Sequence, residues 1–277
     1  MSPDVDRRQF LVGAGTVATA AIAGCSGDED PVEDDGSNGD DGGGGDGNGG
    51  GGGPGDDLEG GQMELVQISK ETLDPIGQAG PINAWTTWQT HERLFTYEDG
   101  TPPATAELAA DYSVSDDYLT YTFELQEGVT FHNGDELTAS DVVYSWRRLA
   151  ESPNNRGHQN RIVRGPMSVD HEVDEDGNTV PNTLAVEAVD EYTVEMTLET
   201  PFHDTIAKVG DIRLSIVPEG IVGDIEGYEG EYDYDEWVSN HIHGTGPFQL
   251  DSWNRGSEIV LSRFDDYHGS TANIEGI

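Results

Sequence analysis

Five short features of this sequence have residue types and spacings that bear on chemistry: a Gly244-Thr245-Gly246-Pro247 run, His241 and His243 just ahead of it, Trp85 and Trp88, the acidic stretch "DEDGN" at 174–178, and a single cysteine, Cys25. The glycine run lacks the lysine and the long spacing of a phosphate-binding loop, and Pro247 removes a backbone donor, so it reads as a tight turn into a strand. His241 and His243, alternate residues of an expected strand, would share one face and offer two metal ligands. No cysteine lies near and no third ligand stands in register, so no metal is expected. Trp85 and Trp88, three apart on an expected helix, more often pack into a core; on an open face they would be ligand-binding, stacking on what they hold. "DEDGN" does not match the alternating ligands of a calcium loop and reads as a hairpin tip. There is no G-x-S-x-G elbow and no H-E-x-x-H pair, and paired carboxylates are too abundant here to signal catalysis. The residues point away from an enzyme and call for no cofactor.

Cys25 has no partner for an internal disulfide, and a structural zinc site would need several such ligands. It closes the stretch "DRRQFLVGAGTVATAAIAGC" (6–25), whose apolar run from Leu11 to Ala23 is about half the ~20 residues a helix needs to span a bilayer. Arg7 and Arg8 with Gln9, Phe10 and Leu11 resemble a twin-arginine export signal, and Ile22, Ala23, Gly24 and Cys25 resemble a lipobox. The resemblance implies that residues 1–24 are removed and that Cys25 carries lipid, which would hold the protein on the extracellular face of the membrane. It also implies export of a protein that is already folded.

The charge is lopsided. Fifty-five acidic residues face thirteen basic ones, a net charge of −42, and Lys70 and Lys208 are the only lysines. Nucleic acid is excluded as a partner on these grounds. Part of the acidity lies in Ser26–Gly61, a glycine- and aspartate-rich stretch with almost nothing apolar to fold around. With Cys25 it reads as a tether, 25–61. From Gln62 onward 41 acidic residues still face 11 basic ones. Such a surface repels itself in dilute buffer and is screened at molar salt, where the Debye length is about 3 Å. Lysine-poor, carboxylate-rich domains resemble those of extreme halophiles.

The 216 residues from Gln62 are enough for a substantial core, and their patterning mixes strands and helices. "MELVQIS" (63–69) reads as a strand, and Ile82, Trp85, Trp88 and Phe95 fall at helical spacing within 81–97. Leu119, Tyr121, Phe123 and Leu125 alternate with polar residues as in a half-buried strand, and Val129 and Phe131 read as another that ends at Asn133-Gly134. Thr138-Ala139-Ser140-Asp141 is a capping box, followed by an apolar stripe of Val142, Val143, Trp146 and Leu149. The stretches 184–189 and 193–198 read as a hairpin. "GTGPFQLDSW" and "SEIVLSRF" read as two closing strands. The class is mixed α/β.

"LAADYSVSDDYLTYTFELQEGVTFHNGDELTASDVVYSWRR" (108–148), "AVDEYTVEMTLETPF" (188–202) and "GTGPFQLDSWNRGSEIVLSRFDDYHG" (244–269) resemble, in order, three blocks of the extracellular solute-binding proteins of ABC importers, the oligopeptide, dipeptide and nickel type. Three ordered blocks are a specific signal where one would be weak. The resemblance implies a periplasmic-binding-protein-like fold whose first lobe is built from 62–92 and 205–277, with 93–204 inserted as an α/β subdomain. It implies a di- or oligopeptide or similar small solute as ligand and permease subunits as partners. It places the Gly244-Thr245-Gly246 block close to the cleft, where its backbone would line the ligand pocket. The sequence stops near the point where the family's chain passes into its second lobe, so the expectation is a truncated receptor, or one half of a split one whose second lobe is encoded separately. The alternative is a surface structural or adhesion module that keeps half of a receptor fold.

The anchor is directly testable. Cys25→Ser is expected to release the protein from the membrane into the medium, and Lys-Lys in place of Arg7-Arg8 to leave precursor in the cytoplasm, both read by fractionation and immunoblot. A Cys25→Ser protein that stays on the membrane refutes the lipid anchor.

Overall fold

The computed structural model describes residues 60–65, 72–77, 84–97 and 104–277, all within one compact unit, Gly53–Ile277. Arg7, Arg8, Cys25, Ile82 and most of the Gly/Asp-rich stretch lie outside the described residues, as does the second half of "MELVQIS".

Alternation of apolar and polar side chains builds the main sheet. Strands β3 (Ala109–Val114), β4 (Thr120–Leu125), β5 (Val186–Ala188) and β6 (Thr193–Thr197) form an antiparallel sheet in the order β3-β4-β6-β5. Tyr121, Phe123 and Leu125 of β4 are buried, and Tyr121 and Phe123 pair with Met196 and Val194 of β6. The face they share is the floor on which helix α2 (Ala139–Glu151) lies. Period-two burial on a sheet and period-3.6 burial on a helix meet there, the simplest way for each to hide its apolar side.

Helix α2 starts where the capping motif expects. The Asp141 carboxylate accepts from the Thr138 backbone N–H at 2.7 Å and from its hydroxyl at 2.8 Å, and its other oxygen accepts from the Glu219 N–H at 2.7 Å. Val142, Trp146 and Leu149 face the sheet, fully buried, while Val143 is only partly covered. The Trp146 ring meets Phe123 edge-on at 6.1 Å, and its indole N–H donates to the Leu214 carbonyl at 3.3 Å.

The other side of α2 enters a second core with Leu73, Val217, Ile221, Trp237 and Ile242 around Tyr144. At its centre Arg148 is 1 % exposed. Its guanidinium binds Asp224 through two bonds of 2.8 Å and Asp74 at 3.0 Å, and lies 4.7 Å from the Trp237 ring centroid. Asp74 leads into a 3-10 turn, Pro75–Gly77, and Trp237 belongs to helix α4 (Tyr234–Asn240).

Four shorter pieces join these among the described residues. Helix α1 (Trp85–Thr90) precedes the ribbon of β1 (Phe95–Tyr97) and β2 (Ala104–Ala106), and α3 (Thr205–Val209) packs near β1. Strands β7 (Phe248–Asn254) and β8 (Glu258–Arg263) form the closing hairpin. Leu261 of β8 exchanges both backbone bonds with Ile277, at 2.8 and 2.9 Å. On its other side this last stretch holds residues 60–63, with Gly60 N–H on Asn273 at 2.8 Å, Glu275 N–H on Gly61 at 2.8 Å and Met63 N–H on Gly276 at 3.0 Å.

Three expectations from the sequence change. Val129 and Phe131 are buried but form no strand; a single bridge joins Thr130 to Glu136, because the chain turns at once through Asn133 and Gly134. Helix 81–97 is much shorter, since His91 is extended and ends it at Thr90, and Phe95 sits in β1. His241 and His243 do not share a strand: His241 ends α4 with its ring stacked 3.9 Å from Tyr232, and the two imidazoles lie 6.2 Å apart at a tilt.

Trp146→Ala is expected to cost about 3–5 kcal/mol through the cavity left under β4, and Thr138→Ala about 1 kcal/mol through loss of the cap. Denaturant unfolding at molar salt measures both. Equal, near-zero effects would mean that α2 does not pack in this way.

Candidate functional site

The glycine run, predicted as a turn into a strand, is one: Phe248 opens β7 immediately after Pro247. Its setting is tighter than a turn requires. A Cβ on Gly244 would stand 2.0 Å from the Thr90 carbonyl oxygen, and one on Gly246 would stand 2.6 Å from that of Gln89. Side chains at those positions cannot fit against the end of α1, so the two glycines answer to contact with a neighbouring backbone rather than to positive φ. The Gly246 N–H donates to the Thr90 carbonyl at 3.2 Å.

This close approach explains the orientation of α1. Its inward face carries Thr86, Thr87 and Thr90, all buried, with the Thr90 hydroxyl donating to the Thr86 carbonyl at 3.1 Å. Backbone pressed against backbone leaves room for threonine but not for indole. Trp85 is therefore only partly buried and Trp88 is 45 % exposed. Packing of this pair into a core, the commoner outcome for two tryptophans three residues apart, does not occur for Trp88.

The structure thus brings the five candidate residues into one neighbourhood: Trp85 and Trp88 on α1, and Gly244, Thr245 and Gly246 against its last turn. The three turn residues are all buried, and the Thr245 hydroxyl, with no exposed surface, finds no hydrogen-bond partner among the described residues.

His132 supplies what sequence reasoning missed. Its backbone N–H donates to the Gly244 carbonyl at 2.9 Å, its Nδ1 accepts from the Gly244 N–H at 3.3 Å, and its Nε2 donates to the Gly246 carbonyl at 2.9 Å. Phe264 meets the ring edge-on at 4.9 Å. Burial pushes the imidazole down to about 4, against the pull of the Gly246 bond. Nothing local in "TFHNG" signals a partner more than a hundred residues away.

Next to this turn, Glu92 is buried with both carboxylate oxygens engaged, one by the Tyr267 hydroxyl and the other by His268 Nε2, each at 2.8 Å. The Glu92 bond raises the His268 imidazole above its ordinary value. Arg93 beside it pairs with Glu107 at 2.8 Å. Between the 128–134 loop and residues 264–267 lies an open cavity of about 550 Å³, walled in part by Thr130, His132, Asn133, Asp266 and Tyr267. Its walls are largely polar, which suits a small polar molecule. Among the described residues no cluster of three metal-type side chains forms, and no helix is long and apolar enough to cross a membrane.

Residues 104–277 match the family described as bacterial extracellular solute-binding proteins, family 5. The chain is 27 % identical over 212 residues to the probable D,D-dipeptide-binding periplasmic protein DdpA of Escherichia coli K12, covering 75 % of this chain and 36 % of DdpA. It is 30 % identical over 196 residues to the glutathione-binding protein GsiB of Escherichia coli O1:K1, covering 71 % of this chain and 33 % of GsiB. The fold is similar to that of part of the periplasmic binding protein DppA from Helicobacter pylori, in complex with peptide STSA, at a TM-score of 0.64 and 24 % identity over 79 % of this chain and 42 % of that one. This chain therefore spans about a third of the length of the curated relatives it matches. On the ordered match across most of its folded part, the chain belongs to the extracellular solute-binding proteins of family 5.

Proposed function

We propose that this chain is part of the solute-binding component of an ABC importer, taking a di- or oligopeptide-like solute and delivering it to permease subunits. The family match carries this reading. The relatives DdpA and GsiB bear the names of a D,D-dipeptide and of glutathione, both peptide-like. In this reading 62–92 with 205–277 forms the first lobe and 93–204 an inserted subdomain. The ligand face is the surface where α1 presents Trp85 and Trp88 beside the Gly244–Gly246 turn. The sequence features at Arg7, Arg8 and Cys25 support export by the twin-arginine route and lipid anchoring on the extracellular face of the membrane. The shortage of lysine and excess of carboxylate support work at high salt.

The relatives are about three times the length matched here, and a solute pocket obtains affinity by enclosing its ligand. We place the second wall of the site in the part of the receptor that the relatives have and this chain does not span, joined to it or separately encoded. A micromolar site has about 8 kcal/mol of binding free energy, and half of that leaves affinity near the millimolar range.

Titration of the chain with di- and tripeptides in molar salt, followed by the Trp88 indole N–H resonance and by calorimetry, is expected to show binding near millimolar. Trp88→Ala should weaken it by about 1 kcal/mol through loss of ring stacking. Addition of a second-lobe segment should tighten it. Submicromolar binding by this chain alone would overturn the half-enclosed site, and absence of peptide binding with the second lobe present would overturn the peptide reading.

A further inference from the structure

We infer that His132 is a positioning residue, held in a single neutral tautomer, that fixes where the Gly244–Gly246 turn lies and through it where α1 presents Trp85 and Trp88. The functional weight of this inference rests on the reading of α1 as the ligand face; the geometry does not.

The tautomer follows from the partners. A backbone N–H cannot accept, so His132 Nδ1, facing the Gly244 N–H at 3.3 Å, carries no proton. A carbonyl cannot donate, so Nε2, 2.9 Å from the Gly246 oxygen, carries one. With the His132 backbone N–H on the Gly244 carbonyl, one residue meets three of the four backbone polar groups of the two glycines. The fourth, the Gly246 N–H, goes to Thr90, the last residue of α1. The turn is thus held between His132 on one side and α1 on the other. Its backbone contact with α1 is so close that no Cβ fits at Gly244 or Gly246. If the turn moves, the end of α1 loses its neighbour.

No other side chain reproduces this grip. The two ring nitrogens face opposite duties across the width of an imidazole, one accepting and one donating. Glutamine also carries an acceptor and a donor about one carbon, but the two point nearly the same way where those of the ring diverge, so it reaches one glycine at a time; phenylalanine keeps the contact with Phe264 but offers neither.

The groups around the ring agree with a neutral state. His243 from the stretch ahead of the turn opposes a positive charge, and Glu92 from the stretch after α1 favours one. Asp265, Asp266 and Tyr267 stand along the cavity wall beside the 128–134 loop. Burial outweighs the favourable carboxylate and keeps the ring neutral down to about pH 4. Below that, a proton on Nδ1 would set donor against donor at Gly244 and release the grip.

Two measurements on the full chain at molar salt test this without any ligand, so their outcome is separate from that of the peptide titration. Long-range nitrogen–proton NMR of His132 should show the Nε2–H tautomer, neutral from pH 8 to about 4. Amide exchange should show Gly244 protected in the native protein and less protected by roughly tenfold in His132→Phe, with the β4–β6 amides unchanged. The Trp85 and Trp88 indole resonances should shift in the same variant. His132→Gln, which can keep one ring-type bond, should fall between the two. An Nδ1–H tautomer, titration near the ordinary imidazole value, or equal Gly244 protection and unmoved tryptophan resonances in a folded His132→Phe would overturn the inference. The native-state tautomer decides the matter if the variant fails to fold.

Discussion

The interaction on which the rest of this unit depends is the buried guanidinium of Arg148. A charge taken out of water is stable only if its partners are in place, and here they come from three separated parts of the chain: Asp74 ahead of its 3-10 turn, Asp224 in the loop after α3, and the Trp237 ring on α4. Burial raises the Asp74 carboxyl, while Asp224, despite its own burial, is held below the usual carboxylate range by Arg148, Ser152 and Asn154. The Tyr234 hydroxyl completes the set on Asp74 at 3.2 Å. Each partner has a weak claim on stability and a strong claim on place, since removing either carboxylate leaves the guanidinium short of a counter-charge in a core.

That constraint reaches further because α2 has two working faces. Arg148 and Tyr144 pin one side to the 217–225 stretch and α4, with the Tyr144 hydroxyl bonded to the Val222 backbone, while Trp146 and Leu149 press the other onto β4 and β6. The helix cannot rotate or slide without exposing an indole on one side or a guanidinium on the other. The two cores are held in one register by a single helix. The stretches on either side of Thr90, and the segment of Phe264, Tyr267 and His268 bonded to Glu92, are then assembled around this fixed frame.

How much of this was legible in the sequence depends on the range of the interaction. Thr138 and Asp141 lie three residues apart, and the cap they form is where the sequence predicts it. The hairpins 186–197 and 248–263 follow from alternation within a few residues of a turn, and the "DEDGN" stretch is the hairpin tip expected of it, with Asp174 accepting from Asp176 and Asn178. The tryptophans were misread as to packing because periodicity reports which residues share a face, not which face turns inward; two glycines more than 150 residues away decide that. His132 and Arg148 were invisible as clasps for the same reason. A histidine in a polar turn and an arginine on an amphipathic helix carry no local mark of partners more than seventy residues distant. The candidate site was half legible: the glycines and tryptophans drew attention, while the side chain that joins them did not.

The pairing of residues 60–63 with the stretch 273–277 carries a consequence for the order of events in folding. The two stretches meet at a parallel bridge between Gln62 and Gly276, more than two hundred residues apart along the chain, and the entropy of closing so large a loop must be met before the contact returns anything. The main sheet and α2, by contrast, close through hairpins and short connections. The outer edge of the β7–β8 sheet is therefore the last seam to be sewn. On a ribosome the contact cannot form until residues 273–277 emerge, so the 60–63 stretch waits for this partner while everything between the two is made.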